Sequence, residues 1–129
     1  MEEKILLVSN DAQSMVSTLV KQVMPDFGSI KIIDETALGH ETLPSSYHIV
    51  LLDASTVDGL VAAVQHIKDY NLSDDRVVLS IMPSWDETRA ALRAGATDYL
   101  HYSQMKEELV QLGARLMLHP GPENHFHLR

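Results

Sequence analysis

The stretch "HIVLLDAS" fills residues 48–55. Four apolar residues, Ile49 to Leu52, run straight into Asp53. A run this short and this apolar predicts a strand buried on both faces, the kind found inside a parallel sheet. Asp53 then puts a carboxylate at the rim of a core.

Similar runs recur along the chain. Ile5 to Val8 forms one, Ile30 to Ile33 a second, and Val77 to Ile81 another; Tyr99 and Leu100 mark a weaker fifth. Helical stretches separate them. Val16, Leu19, Val20 and Val23 share one stripe that Pro25 ends. Leu60, Val61, Val64 and Ile67 make another. "SWDE" at 84–87 reads as a capping box, with Ser84 as the cap and Glu87 reaching back. The helix it opens carries Ala90, Ala91 and Ala94 and stops at Gly95. Leu109, Leu112, Leu116 and Met117 stripe the last helix, for which Ser103 is the expected cap. A short helix is expected over Ala37 to Leu43. This β-α alternation predicts a parallel sheet covered by helices on both sides. Ligands of such sheets sit at the carboxyl ends of the strands, where Asp53, Ser9, Asn10 and Ser80 fall.

The 129 residues fit one domain, expected over 1–118, followed by a tail or linker over 119–129, "HPGPENHFHLR". Hydrophobic residues make up 45% and aromatics only 5%, so the core is aliphatic. A net charge of −8 argues against nucleic acid and against anionic membranes as partners. With no cysteine, disulfides, thiolate catalysis and cysteine metal sites are excluded. His125 and His127 lack further ligands nearby, so no metal function is expected of the tail. The chain has no apolar run near the roughly 20 residues of a membrane span. "MEEK" lacks the basic start of a signal peptide, and a cytoplasmic location is expected.

The phrases "KILLVSNDAQ", "YHIVLLDAS", "DG" at 58–59, "RVVLSIM" and "ALRAGATDYL" at 91–100 resemble a response-regulator receiver domain from about Lys4 to Leu118. The resemblance implies an α/β, flavodoxin-like, doubly wound sheet of five parallel strands in the order 2-1-3-4-5, with five helices. It places Asp53 at the phosphoacceptor position, Ser80 at the hydroxyl switch position and Tyr99 at the aromatic switch position. It also implies Mg²⁺ held beside the phosphoacceptor by an acidic pair, and a lysine after the fifth strand.

Here the chain departs from the family. The acidic pair falls on neutral Ser9 and Asn10, and the lysine position on Tyr102. The loop after Asp53, "DASTVDG", lacks the family's Met-Pro. At an effective dielectric of ~20, one charge at ~4 Å is worth roughly 4 kcal/mol before desolvation. Mg²⁺ binding, through Asp53 and Asn10, is therefore expected to be weak or absent, with no other cofactor. Asp11, one residue on, either adds first-turn charge to the first helix or swings inward to restore a carboxylate. Asp53 itself is expected to accept backbone N–H bonds or to cap the third helix, as Ser55 or Thr56 could also do.

Trp85, the only tryptophan, and the pair Arg89 and Arg93 lie on the fourth helix and form a candidate interface. The competing reading packs Trp85 against Met82 and Pro83. The expectation is an atypical receiver, or pseudo-receiver, that is not an enzyme. Such a module acts in two-component-type signalling through a protein partner: an output domain, a histidine kinase or another signalling protein. Homodimerisation through helix 4, strand 5 and helix 5 is a further expectation. Two alternatives stand beside it: a conventional receiver phosphorylated weakly at Asp53, and a small-molecule-binding flavodoxin-like domain. "SNDAQS" contains no glycine for a phosphate cradle, and no G-x-S-x-G or H-E-x-x-H motif occurs.

Overall fold

The computed structural model describes residues 4–40, 47–70, 72–82 and 84–118. Strands and helices alternate as β1 (Ile5–Val8), α1 (Met15–Val23), β2 (Ile30–Ile33), α2 (Glu35–His40), β3 (Ile49–Asp53), α3 (Leu60–Asp69), β4 (Arg76–Ser80), α4 (Trp85–Ala94), β5 (Asp98–His101) and α5 (Tyr102–Leu118). A 3₁₀ turn, Met24–Asp26, follows α1 and contains Pro25. All strand pairs are parallel, in the order β2-β1-β3-β4-β5. The five-stranded, helix-covered sheet is thus the one expected.

Side chains alternate across a strand, and here the alternation sorts two cores. Leu6, Val8, Val50, Leu52 and Val78 face Leu60, Val64 and Ile67 of α3 and Ala91 and Ala94 of α4. Ile5, Leu7, Ile49, Leu51, Val77 and Leu79 face Val16 and Val20 of α1 and Met105, Leu109 and Leu112 of α5. The central strands β1 and β3 are buried throughout, which is why they read as unbroken apolar runs. Each such buried Leu or Ile stabilises the fold by roughly 1.5–3 kcal/mol. The edge strands β2 and β5 are only partly buried and read more weakly.

Several boundaries differ from the expected ones. The fourth strand is shifted one residue toward the N-terminus. The short helix covers Glu35–His40, and residues 41–43 lie outside the described part, as does the expected tail over 119–129. Helix α5 starts at Tyr102, directly after β5, so Ser103 sits inside its first turn and does not cap it. The Ser103 hydroxyl instead bonds His101 Nδ1 at 2.7 Å, while His101 Nε2 bonds the Ile81 carbonyl at 3.0 Å. Ser84 does cap α4, accepting the Glu87 N–H at 3.0 Å. The Glu87 carboxylate, however, accepts from the Tyr99 O–H, so the fourth helix is fastened to β5. Among the described residues no helix is long and apolar enough to cross a membrane.

Gly95 ends α4 with φ +123°, a conformation that L side chains rarely adopt. Gly95→Ala is expected to cost about 1–3 kcal/mol. Urea unfolding of the two proteins measures it, and equal midpoints would refute the assignment.

Candidate functional site

Period-two alternation puts Asp53 on the same face as Ile49 and Leu51, the face covered by α1 and α5. Val8 pairs with Leu52, so the next residues, Ser9 and Asp53, leave the sheet side by side. Helix α1 lands on this end, with Ser14 as its N-cap and Ser17 in its first turn. A serine-lined pocket results.

Asp53 has no accessible surface. Its Oδ2 accepts from the Ser14 hydroxyl at 2.6 Å and from the Ser9 hydroxyl at 2.9 Å. Its Oδ1 accepts from the Ser55 amide at 3.1 Å and from the Ser55 hydroxyl. The Ser17 hydroxyl lies 2.8 Å from Ser9 Oγ and 2.9 Å from the Asp11 carbonyl, and so steadies the Ser9 hydroxyl. An ionised carboxylate offers about four lone-pair sites, and these four donors fill them, with the Ser17 hydroxyl as a longer fifth contact to Oδ2 at 3.4 Å. Hydrogen bonds to a charged group are worth roughly 1.5–3 kcal/mol each, which is what lets a carboxylate sit here buried.

Asp53 does accept a backbone N–H, as one expectation held. It does not cap α3. That helix starts after Gly59 without a side-chain cap of its own. Glu35 serves this end from α2: its Oε1 accepts from the Asp58 amide at 3.0 Å and its Oε2 from the Gly59 amide at 2.6 Å. Asn10 holds Glu35 in turn. Asn10 Nδ2 donates to Glu35 Oε1 and to the Thr56 carbonyl, both at 2.9 Å. Asn10 Oδ1 accepts the Glu35 N–H at 2.8 Å. The Asn10 side chain therefore spans three loops at the strand ends. The Glu35 carboxyl is held below its ordinary pKa, first by the Asn10 bond and then, against some desolvation, by the Gly59 and Asp58 amides.

Asp11 takes neither expected role. α1 begins only at Met15, with no acid in its first turn. Asp11 is exposed, and its Oδ1 accepts the Gln13 N–H at 2.8 Å in a local turn.

Ser80 and Tyr99 form a second group. By alternation Ser80 shares a face with Val78, toward α3 and α4, whereas Leu79 is the residue paired with Asp53. Tyr99 packs on that same core and donates to Glu87. Its phenol is pushed above the ordinary pKa, chiefly by burial and then by Glu87, with the Ser80 hydroxyl opposing. Tyr102 packs its ring on the α1/α5 core at the start of α5. Trp85 and Leu92 on α4 are 81% and 46% exposed and Met82 in the preceding loop is 86% exposed, so Trp85 is not buried against Met82. Pro83 lies outside the described residues. Arg89 and Arg93 are exposed on the same helix.

Magnesium needs oxygen lone pairs, usually with one or two carboxylates. The pocket presents O–H and N–H hydrogens to Asp53, and the Asn10 carbonyl oxygen already accepts from Glu35. The donor set therefore fits Mg²⁺ poorly. Among the described residues no group of three or more His, Cys, Asp or Glu converges on a metal-sized site.

No family model matches the sequence, and no curated protein does. Solved structures do match. The BeF3-activated receiver domain of DrrB superposes with TM-score 0.71 at 21% identity, over 92% of this chain and 100% of that one. The fold is that of response-regulator receiver domains. A receiver protein from Pseudoalteromonas atlantica gives TM-score 0.68 at 16% identity, over 88% of this chain and 95% of that one. The longer DrrB of Thermotoga maritima, an OmpR/PhoB homologue, gives 0.68 at 22% identity, over 94% of this chain and 55% of that one.

Sequence reading missed Ser14, Ser17 and Glu35. Ser14 was recoverable as a cap, since it stands two residues before the stripe that starts at Val16. Nothing local marks Ser17 or Glu35, whose partners are 23 to 25 residues away in the case of Glu35.

Because the folded Glu35 pKa is depressed, its contribution to stability is present above the ordinary value of 4.5 and is lost as pH falls through the lowered one. Asn10→Ala removes the largest cause. We expect the variant to lose less stability than the parent between pH 6 and pH 3, read by urea midpoints at each pH. Parallel pH profiles would contradict this.

Proposed function

We propose that this chain is an atypical receiver domain. It acts in two-component-type signalling by contact with another protein, without phosphorylation of Asp53 and without a resident Mg²⁺. The observation that carries this reading is the filled acceptor set of Asp53: two serine hydroxyls on Oδ2, the Ser55 amide and hydroxyl on Oδ1. Phosphoryl transfer to an aspartate needs one of those oxygens free to attack and positive charge to meet the phosphoryl group. Serines hold the oxygens here. At the positions where the family carries acids and a lysine stand Ser9, Asn10 and Tyr102.

Helix α4 supplies the surface in this reading. Trp85, Arg89 and Leu92 recur at helical spacing and are all exposed. An exposed tryptophan beside an arginine has the composition of an interface centre. The partner is an output domain, a histidine kinase or another signalling protein, and a second copy meeting through α4, β5 and α5 is the homotypic form. The small-molecule alternative gains little support from the hollow between α2 and α3. That hollow, of about 160 Å³ and lined by Leu38, Ala62, Ala63 and His66 among others, falls short of the 300 Å³ or so at which ligand pockets begin.

Incubation with acetyl phosphate and Mg²⁺, followed by intact mass, is expected to leave the protein unmodified. An Asp53-dependent gain of about 80 Da, the mass of one added phosphoryl group, would favour the conventional receiver, whose phosphoryl chemistry the filled pocket otherwise opposes. Separately, Trp85 should fluoresce as a solvated indole and be quenched freely by acrylamide. Trp85→Ala should leave unfolding stability within about 0.5 kcal/mol of the parent, as exposed positions do. A blue-shifted emission or a large loss of stability would show that Trp85 is packed and not presented.

A further inference from the structure

We propose that Ser14 is a positioning residue that couples the first turn of α1 to the carboxylate of Asp53. The inference deepens the reading of Asp53 as a buried, hydrogen-bonded carboxylate and rests on that part of it. A serine hydroxyl has one hydrogen and two lone pairs. Ser14 uses both capacities on different parts of the fold. Its oxygen accepts the Ser17 N–H at 3.0 Å, which caps α1, and its hydrogen is directed at Asp53 Oδ2 at 2.6 Å. The alternative acceptor, Ser17 Oγ, is farther away at 3.0 Å and uncharged. The carboxylate therefore orients the hydroxyl, and the orientation leaves the lone pairs toward the helix.

Polarisation runs along this chain as well. A hydroxyl that donates to an anion becomes a better acceptor for the next donor, here the Ser17 amide. Ser14 also gives its carbonyl to Thr18 N–H at 2.9 Å, so the residue carries the entry of α1 by backbone and side chain together. Among the short donors to Asp53 only Ser14 has this second attachment; the Ser17 hydroxyl of the same turn reaches Oδ2 at 3.4 Å. Ser9 continues β1, and Ser55 lies in the loop after β3. α1 is thus the helix tied to Asp53 through its own cap. Whatever changes the acceptor at Oδ2 is felt first at Ser17 and Thr18.

Amide hydrogen exchange of the full chain, read residue by residue by NMR, tests this. Protection at Ser17 and Thr18 is normalised to Val64 in α3, which cancels global destabilisation. Glycine is nearly as good an N-cap as serine, so a purely local cap predicts a loss of about twofold or less for Ser14→Gly. The coupling predicts a loss of about tenfold, with Ser14→Thr near the parent. Asp53→Ala should produce the same local loss, and should add nothing further in the Ser14→Gly background. Ser55→Ala, which touches only Oδ1, should leave Ser17 and Thr18 unchanged relative to Val64. The proposal is overturned if Ser14→Gly stays within twofold of the parent, or if Asp53→Ala spares Ser17 and Thr18. Should Asp53→Ala not fold, Asp53→Asn takes its place and is judged by the same loss at Ser17 and Thr18. Phosphoryl labelling of Asp53 would defeat the proposed function yet leave this coupling intact, and a failed coupling leaves the mass measurement unaffected.

Discussion

A carboxylate without accessible surface has to be met by donors on every lone pair, because the solvent it has lost would have supplied them. At Asp53 that requirement recruits β1, the cap of α1 and the loop after β3 to a single point. The carboxyl end of the sheet is organised around it. Ser9 can reach Asp53 only while β1 and β3 keep their register, and Ser14 only while α1 lies on that face. A one-residue slip of β3 would turn Asp53 to the opposite face and lose both partners.

Donors and cations answer a buried anion in different ways. A metal ion would claim lone pairs and bring charge from outside. Hydroxyls fill the same lone pairs from within the chain and bring no charge. Ser9 therefore turns a donor toward Asp53, where a carboxylate could only have turned an acceptor. The Asn10 amide is likewise consumed, its two ends joined to Glu35 and Thr56. Around Asp53 the fold answers its own electrostatic demand.

The opposite face of the sheet holds a separate arrangement. Ser80 and Tyr99 sit with Glu87 on the α4 side, and the Tyr99 O–H fastens α4 to β5. α4 is held in its first turn by Ser84 and by the Glu87 contact to Tyr99 of β5, and at its end by Gly95. Trp85, Arg89 and Leu92 are exposed along this anchored helix.

The strands, the helices and the two-sided core were legible in the chain, because they rest on local periodicity: Ile49 to Leu52 is apolar without a break, and Val16, Val20 and Val23 repeat at helical spacing. Asp53 was legible too, as a charge at the end of such a run. The errors arose where a short-range rule met a long-range partner. Ser103 has the right residue type for a cap, but β5 passes into α5 without a loop. Glu87 completes the capping-box motif, but Tyr99 takes its carboxylate. The sequence by itself determined the layered sheet and the neutral character of the Asp53 surroundings, since period and side-chain charge are properties of the chain alone. Only the tertiary structure decided that Ser9, Ser14 and Ser55 converge on Asp53, that Asn10 and Glu35 bind each other, and that Ser80 faces Tyr99. Those are contacts between residues distant in the chain, and strand register and helix placement create them.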